Sequence, residues 1–122
     1  MTRSVKQRAY DYGLWAETRC ICYLALRGWR IVARRHRTPF GEIDLIAQRR
    51  KQVLFIEVKA RQMHDDGLYA LSPQQCERIV RAASSYVAAK PKIAGLAMRF
   101  DLMVVAKGWR LTHIPHAFES IV

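Results

Sequence analysis

Residues 40–61, FGEIDLIAQRRKQVLFIEVKAR, read as two strands joined by a basic turn, and this hairpin decides the fold. Successive side chains of a strand point to opposite faces. Alternation therefore puts Glu42 and Asp44 on one face of the first strand, with Ile43, Leu45 and Ala47 on the other. In the second strand Phe55, Glu57, Lys59 and Arg61 share a face opposite Leu54, Ile56, Val58 and Ala60. An ordinary surface hairpin alternates too, but its polar positions favour Thr, Lys, Gln and Ser. Here they concentrate carboxylates in a chain that is otherwise strongly basic.

The formal charge is +11 over 122 residues. A charge of this size points to a polyanionic partner, nucleic acid before a membrane surface. Residues 1–62 hold 14 Lys and Arg against 5 Asp and Glu, whereas residues 63–122 hold 7 against 5, so the positive field belongs to the half with the hairpin. The length predicts one domain spanning residues 1–122, and an apolar fraction of 51% predicts a real core. No apolar run is long enough to cross a bilayer, and the first residues lack the apolar segment of a signal peptide, so a cytoplasmic location is the expectation. Three cysteines without a CxxC spacing indicate neither a disulfide framework nor a zinc site.

Outward from the hairpin, residues 5–27 predict a helix, with Leu14, Ile21, Leu24 and Ala25 at helical spacing and Gly28 as its stop. Tyr10, Tyr12 and Trp15 near its start read as core rather than as base-stacking platforms. Residues 29–37 predict a strand, Ile31 and Ala33 facing one way and Arg30, Val32 and Arg34 the other. After a polar loop over residues 62–71, Ser72-Pro73 opens a second helix as N-cap and first helical residue. Its apolar stripe is Ile79, Val80, Ala83, Tyr86 and Val87. Strands over residues 97–106 and 109–114 follow, joined by a two-residue turn at Lys107-Gly108. The order is α-β-β-β-α-β-β, an α/β fold with a central mixed sheet flanked by helices. His113 and His116 have a metal-like spacing, but Pro115 breaks any helix that would align them, and both read as structural or surface residues.

Two unit charges about 4 Å apart repel by ~4 kcal/mol at an effective dielectric near 20. A divalent cation relieves that repulsion, and hard oxygen ligands suit Mg2+ or Mn2+. The predicted set is Asp44 and Glu57 with the backbone carbonyl of Val58. Lys59, on the same face as Glu57, is placed to position a water and to offset charge on a pentavalent phosphorane. Its alternative role is a structural ion pair with Glu57 or Asp44. Arg34, Arg35 and Arg37, the turn residues Arg49, Arg50 and Lys51, and Arg61 and Arg78 are candidate phosphate contacts.

Asp44 followed by Glu57-Val58-Lys59 resembles the D...(D/E)xK signature of restriction-endonuclease-like nucleases. With GEIDLIA at residues 41–47, FIEVKAR at residues 55–61, Gly13, Glu17 and Phe100-Asp101, the chain closely resembles the YraN family of bacterial proteins. These are predicted nucleases distantly similar to archaeal Holliday-junction resolvases. The resemblance implies a restriction-endonuclease-like core and a Mg2+- or Mn2+-dependent endonuclease acting on DNA rather than RNA, branched or otherwise structured DNA included. It adds Glu17, on the first helix, to the catalytic and metal set of Asp44, Glu57 and Lys59. Resolvases of this fold act as dimers, so a homodimer is also implied, although the sequence offers no self-complementary apolar patch. Ala16 stands where the family usually has Gly, and Gln75 where it often has Lys. Two other classes stay open: a non-catalytic nucleic-acid-binding module of the same fold, and an interaction subunit of a DNA repair or uptake assembly.

Overall fold

A computed structural model describes residues 4–61 and 71–118, apart from the side chains of residues 8–10. The expected polar loop therefore lies, except for Leu71, outside the described residues. The elements run α1 (Val5–Leu26), β1 (Arg30–Thr38), β2 (Gly41–Arg49), β3 (Gln52–Arg61), α2 (Pro73–Ala88), a short 3-10 turn, β4 (Ala97–Ala106) and β5 (Arg110–Ile114). This is the α-β-β-β-α-β-β order expected of a restriction-endonuclease-like core. The strands form one five-stranded sheet in the order β1-β2-β3-β4-β5. Pairing is antiparallel except between β3 and β4, which run parallel because α2 carries the chain across between them.

Helices cover both faces of the sheet. On one face Ala16, Cys20 and Leu24 of α1 pack with Leu45, Ala47, Leu54, Ile56 and Met103. On the other Ile79, Val80, Ala82, Ala83 and Tyr86 of α2 pack with Ile43, Ile46, Val53, Phe55 and Phe100. A strand covered on both sides reads as a near-continuous apolar run, which is why β3 carries Val53, Leu54, Phe55 and Ile56 in succession. Burial also corrects the stripe of α1: Ala16, Glu17, Cys20 and Leu24 are buried and the expected Ile21 packs beside them, whereas Ala25 is exposed. The N-terminus of α2 is as expected, and Gln75 completes a capping box in which its Oε1 accepts from the Ser72 backbone N–H at 2.8 Å.

Three local readings give way to tertiary structure. The ladder of β1 slips between Ile31 and Ala33, so Ile31 packs on the α1 face while Val32 and Ala33 join the α2 face. A bulge adds one residue and inverts the alternation beyond it. Likewise Ile43 belongs to the α2 cluster and Leu45 to the α1 cluster, so they do not share a face. Finally, Ala106 pairs with Arg110, leaving a three-residue loop, and positive φ falls on Gly108 (+83°) and Trp109 (+68°) rather than on Lys107-Gly108.

Candidate active site

The irregularity at Asp44 builds the site. The β2–β3 ladder runs only from Arg49↔Gln52 to Leu45↔Ile56, so beyond Ile56 strand β3 is paired on its β4 side alone. The Val58 N–H, left without a ladder partner on the β2 side, donates to Asp44 Oδ2 at 2.8 Å. In an extended strand a residue's N–H and C=O point to the same edge, so the Val58 carbonyl faces the same notch. Opposite Asp44 in register, between the pairs Arg34↔Leu45 and His36↔Ile43, Arg35 adopts a left-handed φ of +49°. Both Arg34 and Arg35 then reach the α1 side, where Arg35 Nε lies 3.0 Å and Arg34 Nη2 3.6 Å from the Glu17 carboxylate.

Within the notch the Asp44 and Glu57 carboxyls share a hydrogen bond, and Lys59 Nζ lies 3.6 Å from Glu57 Oε1. Burial, and then the negative charge of Asp44, pushes Glu57 up to about 8. Burial also raises Asp44 above the ordinary carboxylate range, with Glu17 adding to the rise and the Val58 N–H and Lys59 opposing it. Near neutral pH the pair therefore retains a proton that either group alone in water would have lost.

Asp44, Glu57 and Lys59 are thus brought together, with Val58 beside them. Glu17 is buried next to them on the helix side, but its carboxylate is engaged by arginines. Among the described residues no three His, Cys, Asp or Glu side chains form a metal-binding group. The donors that do converge, two carboxylates and a backbone carbonyl, are hard oxygens, and Mg2+ or Mn2+ accepts one or two carboxylates while retaining waters. The notch fits such an ion without needing Glu17.

The basic candidates divide into groups. Arg78 of α2 lies over Gly41, three residues before Asp44. A Cβ built on Gly41 would fall 2.7 Å from Arg78 Cδ, and the φ of +142° there also calls for glycine. Arg37 is an exposed partner of Glu42, at 3.5 Å. The Arg61 guanidinium donates to the Ala60 carbonyl. Arg49, Arg50 and Lys51 sit at the far end of the hairpin, five or more residues from Asp44 and Glu57, roughly 17–20 Å along the strands. There they line a cleft of about 1030 Å3 with Arg27 and Arg30, which sequence reasoning did not single out although both lie in the basic half. Arg49 is fixed in it: its Nη1 donates to the Arg27 carbonyl at 2.7 Å and its guanidinium stacks 4.2 Å from the Trp29 ring.

Asp101, left without a role by the sequence, is fully buried and structural. It accepts two hydrogen bonds from Arg99, one from His113 Nε2 at 2.6 Å and one from the His116 N–H. These bonds, from His113 and Arg99 above all, outweigh the upward push of burial and hold Asp101 below the usual range.

With GEIDLIA and FIEVKAR folded into this notch, the chain matches the family model described as Uncharacterised protein family UPF0102 over residues 16–105. The chain belongs to the UPF0102 (YraN) family. A UPF0102 protein of Rhodopseudomonas palustris (strain BisB5) is 48% identical over 92% of this chain and 86% of its own length. UPF0102 proteins of Bradyrhizobium diazoefficiens and Nitrobacter winogradskyi are 45% and 44% identical over 92% of the chain, covering 84% and 95% of their own lengths. The UPF0102 matched segment includes both site strands, α1 from Ala16 onward, and the Asp101 anchor. Among the described residues no helix is long and apolar enough to cross a membrane.

Proposed function

We propose that this chain is a divalent-metal-dependent endonuclease that hydrolyses phosphodiester bonds in DNA. The observation that carries the reading is the buried Asp44–Glu57 pair in an open strand notch, with Lys59 at its side. A fold that needed only stability would not keep two carboxyls sharing a proton there.

Asp44, Glu57 and the Val58 carbonyl would hold Mg2+ or Mn2+, which when bound supplies Lewis-acid stabilisation of phosphoryl oxygens and a more acidic water. Asp44 is aimed by the Val58 N–H, so its carboxylate is oriented before substrate arrives. Lys59, mostly buried, holds an ammonium where negative charge accumulates as water attacks phosphorus in line. The Arg34–Glu17–Arg35 cluster fixes α1 against β1 beside the notch and keeps positive charge at its rim. Arg78 extends that rim on the α2 side, and the distant Arg27–Arg30–Arg49–Arg50–Lys51 cleft provides a second phosphate contact along a bound duplex.

The test is cleavage of branched, single-stranded and duplex DNA by the purified chain with Mg2+ or Mn2+. Asp44→Asn should lower the rate by roughly a thousandfold and Lys59→Ala by ~100-fold or more. Equal rates in Asp44→Asn and the parent protein would end the catalytic reading. The engagement of Glu17 by arginines favours, as a second reading, a binding-only protein of the same fold. That reading predicts steeply salt-dependent DNA binding indifferent both to metal and to Glu57→Ala.

A further inference from the structure

Trp15 and Trp109 stack on the protein surface with ring centroids 4.2 Å apart and planes tilted by 36°. They are 58% and 45% exposed, against an expectation that the aromatics of the first helix belong to the core. Single exposed apolar residues need no explanation, but this pair is assembled from two elements and held in place. Trp109 occupies the β4–β5 loop at φ +68°, a conformation rare for a bulky residue. Its carbonyl accepts from Arg19 Nε of α1 at 3.2 Å, which ties the loop to the helix that carries Trp15.

The pair borders a groove of about 90 Å3, lined by Tyr12, Ala16, Val105 and Lys107 among others and, among the described residues, by no acidic side chain. Tyr12 Oη donates to the Arg61 carbonyl at 3.0 Å, and Arg61 pairs with Ala106 at the root of the Trp109 loop. The platform therefore stands at the notch end of the sheet. From Glu57 to Arg61 is four residues, about 13 Å along β3, and Trp15 precedes Glu17 by two residues. Lys107 lies two residues before Trp109 and Arg110 follows it directly.

Exposed π faces with cations on either side suit a ligand that is flat, aromatic and linked to negative charge. A nucleobase with its flanking phosphates meets every one of these features. A base within duplex is already stacked and unavailable, so the ligand is an unpaired base. We infer that Trp15 and Trp109 form a stacking platform for an unpaired nucleobase of a DNA strand, whose neighbouring phosphates lie against Lys107 and Arg110. The inference names the substrate class of the proposed nuclease, DNA with unpaired bases, and rests on that reading for the destination of the strand.

The test is a fluorescence titration of the full chain in EDTA with a single-stranded oligonucleotide, a blunt duplex and a duplex bearing an unpaired flap. The titration uses a Trp29→Phe background, because Arg49 of the far cleft stacks on the Trp29 ring, so that changes in emission report the exposed pair. Single strand and flap should quench the emission, and the blunt duplex should not. Trp15→Ala places the best helix former in α1, and Trp109→Gly suits a positive-φ site, so both variants should fold, as thermal melting would verify. Each should weaken binding of unpaired DNA by roughly 5- to 100-fold while changing blunt-duplex binding by less than about twofold. Unchanged affinity for unpaired DNA in both variants would overturn the platform, as would equal losses on single strand and duplex. A parent dimer that both variants dissociate, with no quenching by DNA, would overturn it in favour of self-association. Quenching by unpaired DNA without cleavage in Mg2+ or Mn2+ would retain the platform and remove the nuclease reading. Cleavage without quenching would do the reverse.

Discussion

Replacing Glu57 by Gln should make the metal-free protein more stable, by an amount that grows with pH. Burial and the neighbouring Asp44 raise the Glu57 carboxyl from 4.5 to about 8. Between those values the folded chain binds a proton that the unfolded chain has released, so stability falls as pH rises. The stabilising contribution is complete below pH 4.5 and is lost as pH passes through about 8. Each pH unit in that window removes about 1.4 kcal/mol. The amide of the Glu57→Gln variant would present a neutral donor to Asp44 at every pH and so lacks this slope. Urea unfolding in EDTA should give nearly equal stabilities near pH 5, with the variant ahead by roughly 3 kcal/mol at pH 7. The difference should level off above pH 8 or so. Taking the difference between the two proteins cancels the pH dependence of groups that do not interact with Glu57, including the self-repulsion of a +11 chain at low pH, and leaves that of the Asp44–Glu57 pair. Mn2+ should stabilise the parent and not the variant, since only the parent can release the proton and offer a second carboxylate. A stability difference that stays flat from pH 5 to pH 9 would refute the shared-proton account of the pair.

Three further outcomes follow from the packing. Gly41→Ala should cost about 2–3 kcal/mol, from strain at positive φ and the clash with Arg78, and Arg78→Ala should restore the part due to the clash; full additivity in that double-mutant cycle would exclude the contact. Asp101→Asn should cost ~3–5 kcal/mol by leaving the Arg99 guanidinium buried without its carboxylate. Because the Asp101 pKa is depressed, its contribution is present above the ordinary carboxylate pKa and is lost as pH falls through the lower folded value, so the variant's deficit should shrink in acid; a deficit constant from pH 7 to pH 2 would contradict this. Replacing Arg50 and Lys51 by Ala should weaken DNA binding alike on all sequences and flatten the log-affinity against log-salt slope by about 2, and an unchanged slope would remove the far cleft from the interface.

What could be read from the chain alone was whatever short-range physics controls. Alternation, the Gly28 stop, the Ser72-Pro73 start and the basic turn at Arg50-Lys51 locate nearly every element, because each depends on conformational preferences spanning a few residues. The nearness of Asp44, Glu57 and Lys59 was legible for the same reason, since one hairpin carries all three. Tertiary structure decided the rest. The faces taken by Ile31, Ile43 and Leu45 depend on a bulge and a broken ladder, which helices packing on both sides of the sheet select. The pairing of Glu17 with Arg35, the closure of Asp101 on His113 and the meeting of Trp15 with Trp109 join residues 18, 12 and 94 positions apart. No local pattern encodes such contacts, because they exist only once separate elements have docked. The chemistry of the notch was written in its residues; its open edge, its shared proton and the aromatic surface beside it are products of packing.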